Sequence, residues 1–371
     1  METQHPSVLE VGKRRLNRLT HQIHALPILV LMPHSRCNCR CVMCDIWRAN
    51  ERGYSLTRAD LDAHIESLRR LSVRQVALSG GEALLHANLW SLCERLKELR
   101  VSITLLSTGL LLAAHAVEIA RWTDEVIVSL DGSQPVHDCI RNIPHAYTRL
   151  QKGIMALKIA APEYRVSARC TLQRANYRDL PNIIAAAHEL GLDRISFLAA
   201  DVSSAAFNRP QPWEPERVAA VALAPAEVTE FEAIIEGVIR RYADDFMSGY
   251  IAESPDRLRR LPRYFAALNS QGDFPAIRCN APWVSAVVEA DGEVRPCFFH
   301  RSYGNFHTAR LDEILNAPGA VAFRRGLDVH TDPTCRKCVC TLDLPARASF
   351  VSFTAARDRR SAATMVKETA A

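Results

Sequence analysis

Leu26-Pro27-Ile28-Leu29-Val30-Leu31-Met32-Pro33-His34-Ser35-Arg36-Cys37-Asn38-Cys39-Arg40-Cys41-Val42-Met43-Cys44 joins a nearly continuous apolar run to a loop crowded with thiols. An apolar run this short, built of Leu, Ile and Val, reads as a strand buried on both faces. Outward from it the pattern repeats. Strands are predicted at 26–33, 73–79, 101–107, 125–131, 164–171 and 194–199, with amphipathic stretches between them. That alternation is the mark of repeated βα units and a parallel sheet. The clearest helix begins at Thr57, which with Asp60 resembles a capping box, and sets Leu61, Ile65, Leu68 and Leu71 at helical spacing. Others are expected near 87–98, 111–121, 145–158 and 178–190.

From Asp201 to Asp273 the alternation stops and a helical connector is predicted, with Val228, Phe231, Ile235, Val238 and Tyr242 on one helix face and Ser254-Pro255 opening a second helix. Its Phe207, Arg209 and Trp213 either line a pocket or pack the connector on the sheet, and packing is the expectation. Residues 283–290 and 293–299 then form a β-hairpin around Asp291-Gly292. The organisation is thus an extension at 1–24, a core at 25–200, the connector at 201–275, a small domain at 276–345 and a tail at 346–371, frayed beyond about Ala355.

With 371 residues, 48% apolar and 23% charged, the chain is long enough for a large buried core and has the composition of a folded domain. The run from Ala25 to Pro33 is too short for a membrane span, and no signal-peptide pattern precedes it, so a cytoplasmic protein is expected. A net charge of +5 without basic blocks among aromatics gives no case for nucleic acid. Twelve cysteines in a reducing compartment point to metal ligands rather than to disulfides. Cys93, Cys139 and Cys170 stand alone in or beside apolar stretches and read as small buried hydrophobes.

Cys37, Cys41 and Cys44 have the spacing C-x3-C-x2-C directly after the first strand. Three thiolates on one tight loop can hold three irons of a cubane and leave the fourth open. The alternative is a zinc site completed by His34. Cys39 falls between the ligands as a bystander. At the other end Cys279 and Cys297 bracket a segment that holds Gly292, and Cys335-x2-Cys338 follows, with Cys340 left over; a four-cysteine zinc ribbon is the competing reading there.

The run from Cys37 to Trp47 resembles the signature of the radical S-adenosylmethionine (SAM) superfamily, and the six βα units match its partial barrel. The fold class this implies is α/β, a partial (β/α)6 TIM-like barrel with a helical connector and a small C-terminal β-hairpin iron–sulfur domain. Ser79-Gly80-Gly81-Glu82 is similar to the family's Gly-Gly-Glu motif, which binds the methionine amine of SAM, and Ala83 stands where relatives carry proline. Met43 likewise replaces an aromatic. Ser107-Thr108-Gly109 ends the third strand like a family turn, and Ser129 and Asp131 share a face at the end of the fourth. The resemblance implies SAM contacts from Gly80, Gly81, Glu82, Ser129, Asp131 and Arg169, with Thr171 a weaker carry-over; Asp131, His137, Asp138 and Arg141 serve equally as loop stabilisers. These positions fall at strand C-termini, where a parallel barrel places its active site.

The second set resembles the twitch form of the SPASM extension, and implies one auxiliary [4Fe-4S] cluster on Cys279, Cys297, Cys335 and Cys338. The activity implied is reductive cleavage of SAM to a 5′-deoxyadenosyl radical, abstraction of a substrate hydrogen and transfer of an electron to the auxiliary cluster, an oxidation of a small metabolite. A reducing protein such as flavodoxin or ferredoxin is implied as partner. The approximately 30 residues ahead of the first strand are few for a leader-binding domain, which ranks a peptide-modifying maturase second. A non-catalytic iron–sulfur or zinc protein is the third reading, and it has no use for Gly80, Gly81, Glu82 and Ser129 at strand ends.

Overall fold

A computed structural model describes residues 2–209 and 211–352. After β1 (Glu2–Gln4) and α1 (Val8–Thr20) the chain enters the expected alternation: β2 (Ile28–Leu31), α2 (Arg58–Arg70), β3 (Gln75–Leu78), α3 (Leu89–Lys97), β4 (Ser102–Ser107), α4 (Ala116–Trp122), β5 (Glu125–Ser129), α5 (Gln134–Arg141), α6 (Ala146–Ala160), β6 (Arg165–Leu172), α7 (Leu180–Glu189) and β7 (Arg194–Ala199). Strands β2 to β7 lie side by side in chain order and every adjacent pair is parallel, an open sheet that forms a partial (β/α)6 barrel. One face is fully buried, as at Leu29, Val76, Ile103, Val126 and Val166, because helices cover it, and the residues that alternate with these are mostly half-buried. Thr57 and Asp60 form the reciprocal capping box, and α2 buries Leu61, Ile65 and Leu68.

The connector holds α8 (Pro215–Val221), α9 (Pro225–Arg241), α10 (Ala243–Ser248), α11 (Pro255–Leu258) and α12 (Arg260–Leu268). The face predicted from Val228, Phe231, Ile235 and Val238 is the buried face of α9, and Ser254 caps α11. Four-residue α13 (Ala281–Val284) then takes up Trp283, so the hairpin is shorter than expected, β8 (Ser285–Val288) and β9 (Glu293–Arg295). Strand β8 pairs in parallel with β2, Ile28 facing Ser285, and β9 and β10 (Gly304–Asn305) follow antiparallel, so the hairpin extends the barrel sheet to nine strands. Gly292 turns at φ +89°, and a Cβ there would lie 2.5 Å from the His307 ring. Helices α14 (Leu311–Asn316), α15 (Pro318–Gly326) and α16 (Pro333–Arg336) lead to the last cysteines, and β11 (Phe350–Ser352) closes on β1. Among the described residues no helix is long and apolar enough to cross a membrane. The tail beyond Ala355 lies outside the described residues.

Two expectations are corrected. Cys139 is exposed on α5, whereas Cys93 and Cys170 are buried as read. Helix α1 was not expected: its buried side is Glu10, Arg14 and Asn17, so it carries no apolar period facing the core. Asn17 Nδ2 donates to the carbonyls of Ala25 (2.6 Å) and Trp283 (2.7 Å), and its Oδ1 accepts from His24 N (2.7 Å), which ties α1 to the segments leading into the neighbouring strands β2 and β8.

Candidate functional site

The thiol loop leaves β2 and is fixed by side chains from several directions. Asn50 accepts from Cys37 N (2.8 Å) and donates to Cys37 O (3.0 Å). Asn38 accepts from Thr108 Oγ1 (2.9 Å), and Arg40 N and Val42 N donate to the carbonyls of Arg141 and Ile140 at the end of α5. The outcome is one open cleft of about 270 Å³ lined by Cys37, Cys41 and Cys44 together with Gly80, Gly81, Ser129, Arg169 and Thr171 at the strand ends. Cys39 is 1% exposed, packs with Leu110 and Ala146, and does not line the cleft. His34 also stays out of it, its Nδ1 2.6 Å from Ser55 Oγ, which leaves the zinc alternative without its fourth donor there.

Burial pushes the Cys37 thiol up to about 12 and Cys44 up to about 11. Cys41 is pulled down, first by a hydrogen bond from the Cys39 thiol and then by the Arg141 guanidinium. Buried thiols that resist ionisation are stabilised as thiolates by a bound cation, and three soft donors on one cleft suit an iron–sulfur cubane with an open iron. Gly81 serves the same place: a Cβ on it would fall 2.6 Å from the Arg36 carbonyl carbon and 3.1 Å from Cys37 Cβ, so only glycine lets the strand end lie against the cysteine loop.

Two of the expected SAM contacts sit elsewhere. Glu82 does not line the cleft; it is fully buried and accepts from Thr108 N (2.7 Å), Thr108 Oγ1 (2.6 Å), Ser107 Oγ (3.0 Å) and Leu84 N (3.2 Å). Burial raises its pKa, and the four donors hold it in place. Asp131 likewise is buried, paired with Arg141 and accepting from Thr171 N (2.8 Å). Arg141 lines the cleft and points Nη1 at Cys41 Sγ, 3.5 Å away. A guanidinium, held by a carboxylate, thus faces one of the three thiols.

Residues from the far end of the chain roof the cleft. Phe207 and Arg209 of the connector line it together with Phe298, Val339 and Cys340, which corrects the expectation of mere packing for the first two. Trp213 does pack: its Nε1 donates to Asp45 Oδ2 (2.6 Å), and Arg217 forms two bonds to the same carboxylate (2.6 and 3.0 Å). Sequence reasoning missed Phe298 and Arg217, since neither belongs to a spaced motif.

The second set of thiols also converges. Burial raises Cys297 to about 11, with Cys279 and Cys340 adding to the shift, and Cys335 and Cys338 are raised by burial and by Cys297 and Cys279. Cys340 therefore belongs to the same group of five. Asn280 fastens its two halves, donating from N to Leu342 O (2.7 Å) and from Nδ2 to Leu344 O (2.8 Å). Asp332 caps α16 through Thr334 N and Cys335 N. His300 Nε2 lies 3.3 Å from Cys335 Sγ, a nitrogen donor that the cysteine pattern did not reveal. Five thiols from three segments fit a thiolate-bound cluster.

Residues 31–187 match the family described as the radical SAM superfamily, and residues 279–339 match SPASM, an iron–sulfur cluster-binding domain. The two domains imply SAM and [4Fe-4S] clusters as cofactors. Among curated proteins, the chain is 28% identical over 171 residues to pre-heme d1 synthase of Dinoroseobacter shibae, covering 45% of this chain and 42% of that protein. It is 33% identical over 172 residues to a GTP 3′,8-cyclase of Rhodopseudomonas palustris, covering 42% and 48%. The chain spans less than half the length of these relatives. Among solved structures, Streptococcus suis SuiB bound to precursor peptide SuiA aligns with TM-score 0.59 at 13% identity, covering 88% of this chain and 73% of that one. Native anSMEcpe with bound AdoMet aligns with TM-score 0.59 at 18% identity, covering 84% and 86%. These likenesses are of fold.

Proposed function

We propose that this chain, a radical SAM superfamily member with a C-terminal iron–sulfur cluster-binding domain, is an oxidoreductase that removes a hydrogen atom and then an electron from a small organic substrate. The observation that carries the reading is one cleft lined both by the three thiols of the first set and by Cys340, which neighbours the proposed auxiliary ligand Cys338. When bound, SAM and the two clusters supply a hydrogen-abstracting radical and a one-electron acceptor. The chain's own residues supply the rest. Cys37, Cys41 and Cys44 hold the first cluster, and Cys279, Cys297, Cys335 and Cys338 the second, the auxiliary cluster. Gly80 and Gly81 admit the backbone of the β3 end close to a ligand, Ser129, Arg169 and Thr171 offer polar groups for orientation, and Phe207 and Phe298 exclude water.

The curated relatives are named for making heme d1 precursors and for cyclising GTP, which supports a small metabolite. A maturase acting on a peptide stands second, because its support is the shared fold of a neighbour bound to a precursor peptide. The test is iron content of anaerobically reconstituted protein with 5′-deoxyadenosine formation under dithionite. About eight irons per chain are expected from two cubanes, with deoxyadenosine formed by the wild type and by Cys297→Ala but not by Cys44→Ala. Full SAM cleavage by Cys44→Ala would overturn the assignment of the first cluster, and four irons with one zinc would reduce the C-terminal domain to a structural staple.

A further inference from the structure

A second cavity opens off the cleft and shares Arg169, Leu198, Val339 and Cys340 with it. Its outer wall carries Arg257 from α11, Arg260 from α12 and Arg336 from α16, so that three separate helices bring guanidinium groups to one space. Between them and the shared residues lie Phe197, Leu261, Tyr264 and Ile277, an apolar lining. The one carboxylate in the lining is Glu253, which is turned to Phe197 N at 2.9 Å.

The arginines are under-neutralised. Among the described residues Arg336 pairs with Asp273, at 3.6 Å, an acid whose side chain is 95% exposed. Arg260 donates to the Ala276 carbonyl, a neutral oxygen, while Arg169 donates to Ser196 Oγ and has the Glu253 carboxylate near it. Burial together with the nearness of Arg257 lowers the pKa of Arg260, as expected where like charges face each other. Arg257 and Arg336 are exposed at the mouth and Arg260 is half-buried, so their forks are open to an entering anion, and the planar fork of arginine matches carboxylate and phosphate oxygens. We propose that this cavity is the anion subsite for the substrate: Arg257, Arg260 and Arg336 take its carboxylate or phosphate group, and its apolar body runs past Arg169 into the cleft. The substrate class is an organic acid or phosphate ester with an apolar portion. The placement of the reacting end rests on the cleft being the reaction site.

Calorimetric titration of the anaerobic, cluster-loaded enzyme at constant ionic strength, with inorganic phosphate, glutarate and neutral glutaramide as probes, tests the assignment. Wild type binds phosphate, glutarate or both and ignores glutaramide, and Arg257→Gln/Arg260→Gln weakens that binding by about tenfold or more. Iron content and dithionite-driven deoxyadenosine formation stay at wild-type values in that variant. Binding of phosphate alone identifies a phosphate ester and of glutarate alone a carboxylic acid, while binding of both establishes the shared oxyanion chemistry. Neither probe binding, or equal binding by the variant, overturns the subsite. Arg336→Gln, on the exposed rim, gives the same comparison should the double variant lose its fold. Wild-type enzyme that binds the probes yet forms no deoxyadenosine would instead bring down the reading of the cleft.

Discussion

Gly81→Ala puts one methyl group where the cysteine loop crosses the end of β3. Gly81 is absent from the glycines with positive φ, so the substitution tests space alone. The new Cβ would meet the Arg36 carbonyl carbon at 2.6 Å and Cys37 Cβ at 3.1 Å, whereas carbon atoms rest at about 3.5–4.0 Å. The atoms in the way are backbone, which Asn50 and Glu82 N hold by hydrogen bonds, so no side chain can swing aside. The loop must retreat by about 1 Å, several times the ~0.2 Å tolerance of a metal–ligand distance. Overpacking of this kind costs about 1–3 kcal/mol of stability. The larger effect is on Cys37: iron per chain falls from about eight towards four as the first cubane is lost. Deoxyadenosine formation drops by about a hundredfold or more. Gly237→Ala, on α9 with nothing within 4 Å of its Cβ, is the control and leaves both readings unchanged. Gly81→Ala enzyme with eight irons and a wild-type rate of SAM cleavage would refute the steric argument.

Asn17→Leu strips partners from two buried carbonyls and one buried amide, and is expected to cost about 3 kcal/mol and about 5 °C in melting temperature; Leu19→Ser, at a residue 77% exposed, should change neither. His137 is buried beside Arg141, and burial first and that charge second hold its pKa near 3, below the ordinary 6.5. Because the folded value is depressed, its contribution is complete above pH 6.5 and is lost as pH falls towards 3, about 1.3 kcal/mol between pH 7 and 5.5. Urea unfolding at those two pH values should show His137→Asn losing about 1 kcal/mol less than wild type, and an identical loss would contradict a neutral buried imidazole.

The barrel was legible because its strands are short runs rich in Val, Ile and Leu whose buried face carries Val76, Ile103, Val126 and Ile195, a pattern that needs no long-range information. Helix α1 was not, since its inward side is Glu10, Arg14 and Asn17 while Val8 and Leu9 face outward at 91% and 70% exposure. Polar groups that serve backbone carbonyls leave no hydrophobic period to read. The same limit applies within the site. Cys37, Cys41 and Cys44 are close in sequence, and spacing alone brings their donors together. Phe207, Phe298 and Cys340 meet over the cleft from positions far apart, and no local pattern encodes that meeting. Glu82 is the reverse case, a residue whose motif points to a ligand but whose oxygens are taken up by Ser107 and Thr108, 25 and 26 residues further on.

The position of the first cluster depends on that long-range assembly more than on the loop's own backbone. Among the described residues the cysteine loop has no strand partner, so polar side chains such as Asn50 and the carbonyls at the end of α5 do what a sheet ladder does elsewhere. Asp45, directly after Cys44, is the clearest case: it is 3% exposed, and its carboxylate is shared among Arg48, Trp213 and Arg217. Trp213 and Arg217 belong to the same connector that brings Phe207 and Arg209 over the cleft. Placement of Cys44 and closure of the roof are therefore two consequences of one buried carboxylate. Taking Asp45 to alanine would remove the acceptor of Trp213 and Arg217 and cost about 1–3 kcal/mol, since Arg217, 31% exposed, can turn to water. That loss would fall on the connector and on Cys44, the proposed third ligand of the first cluster, together.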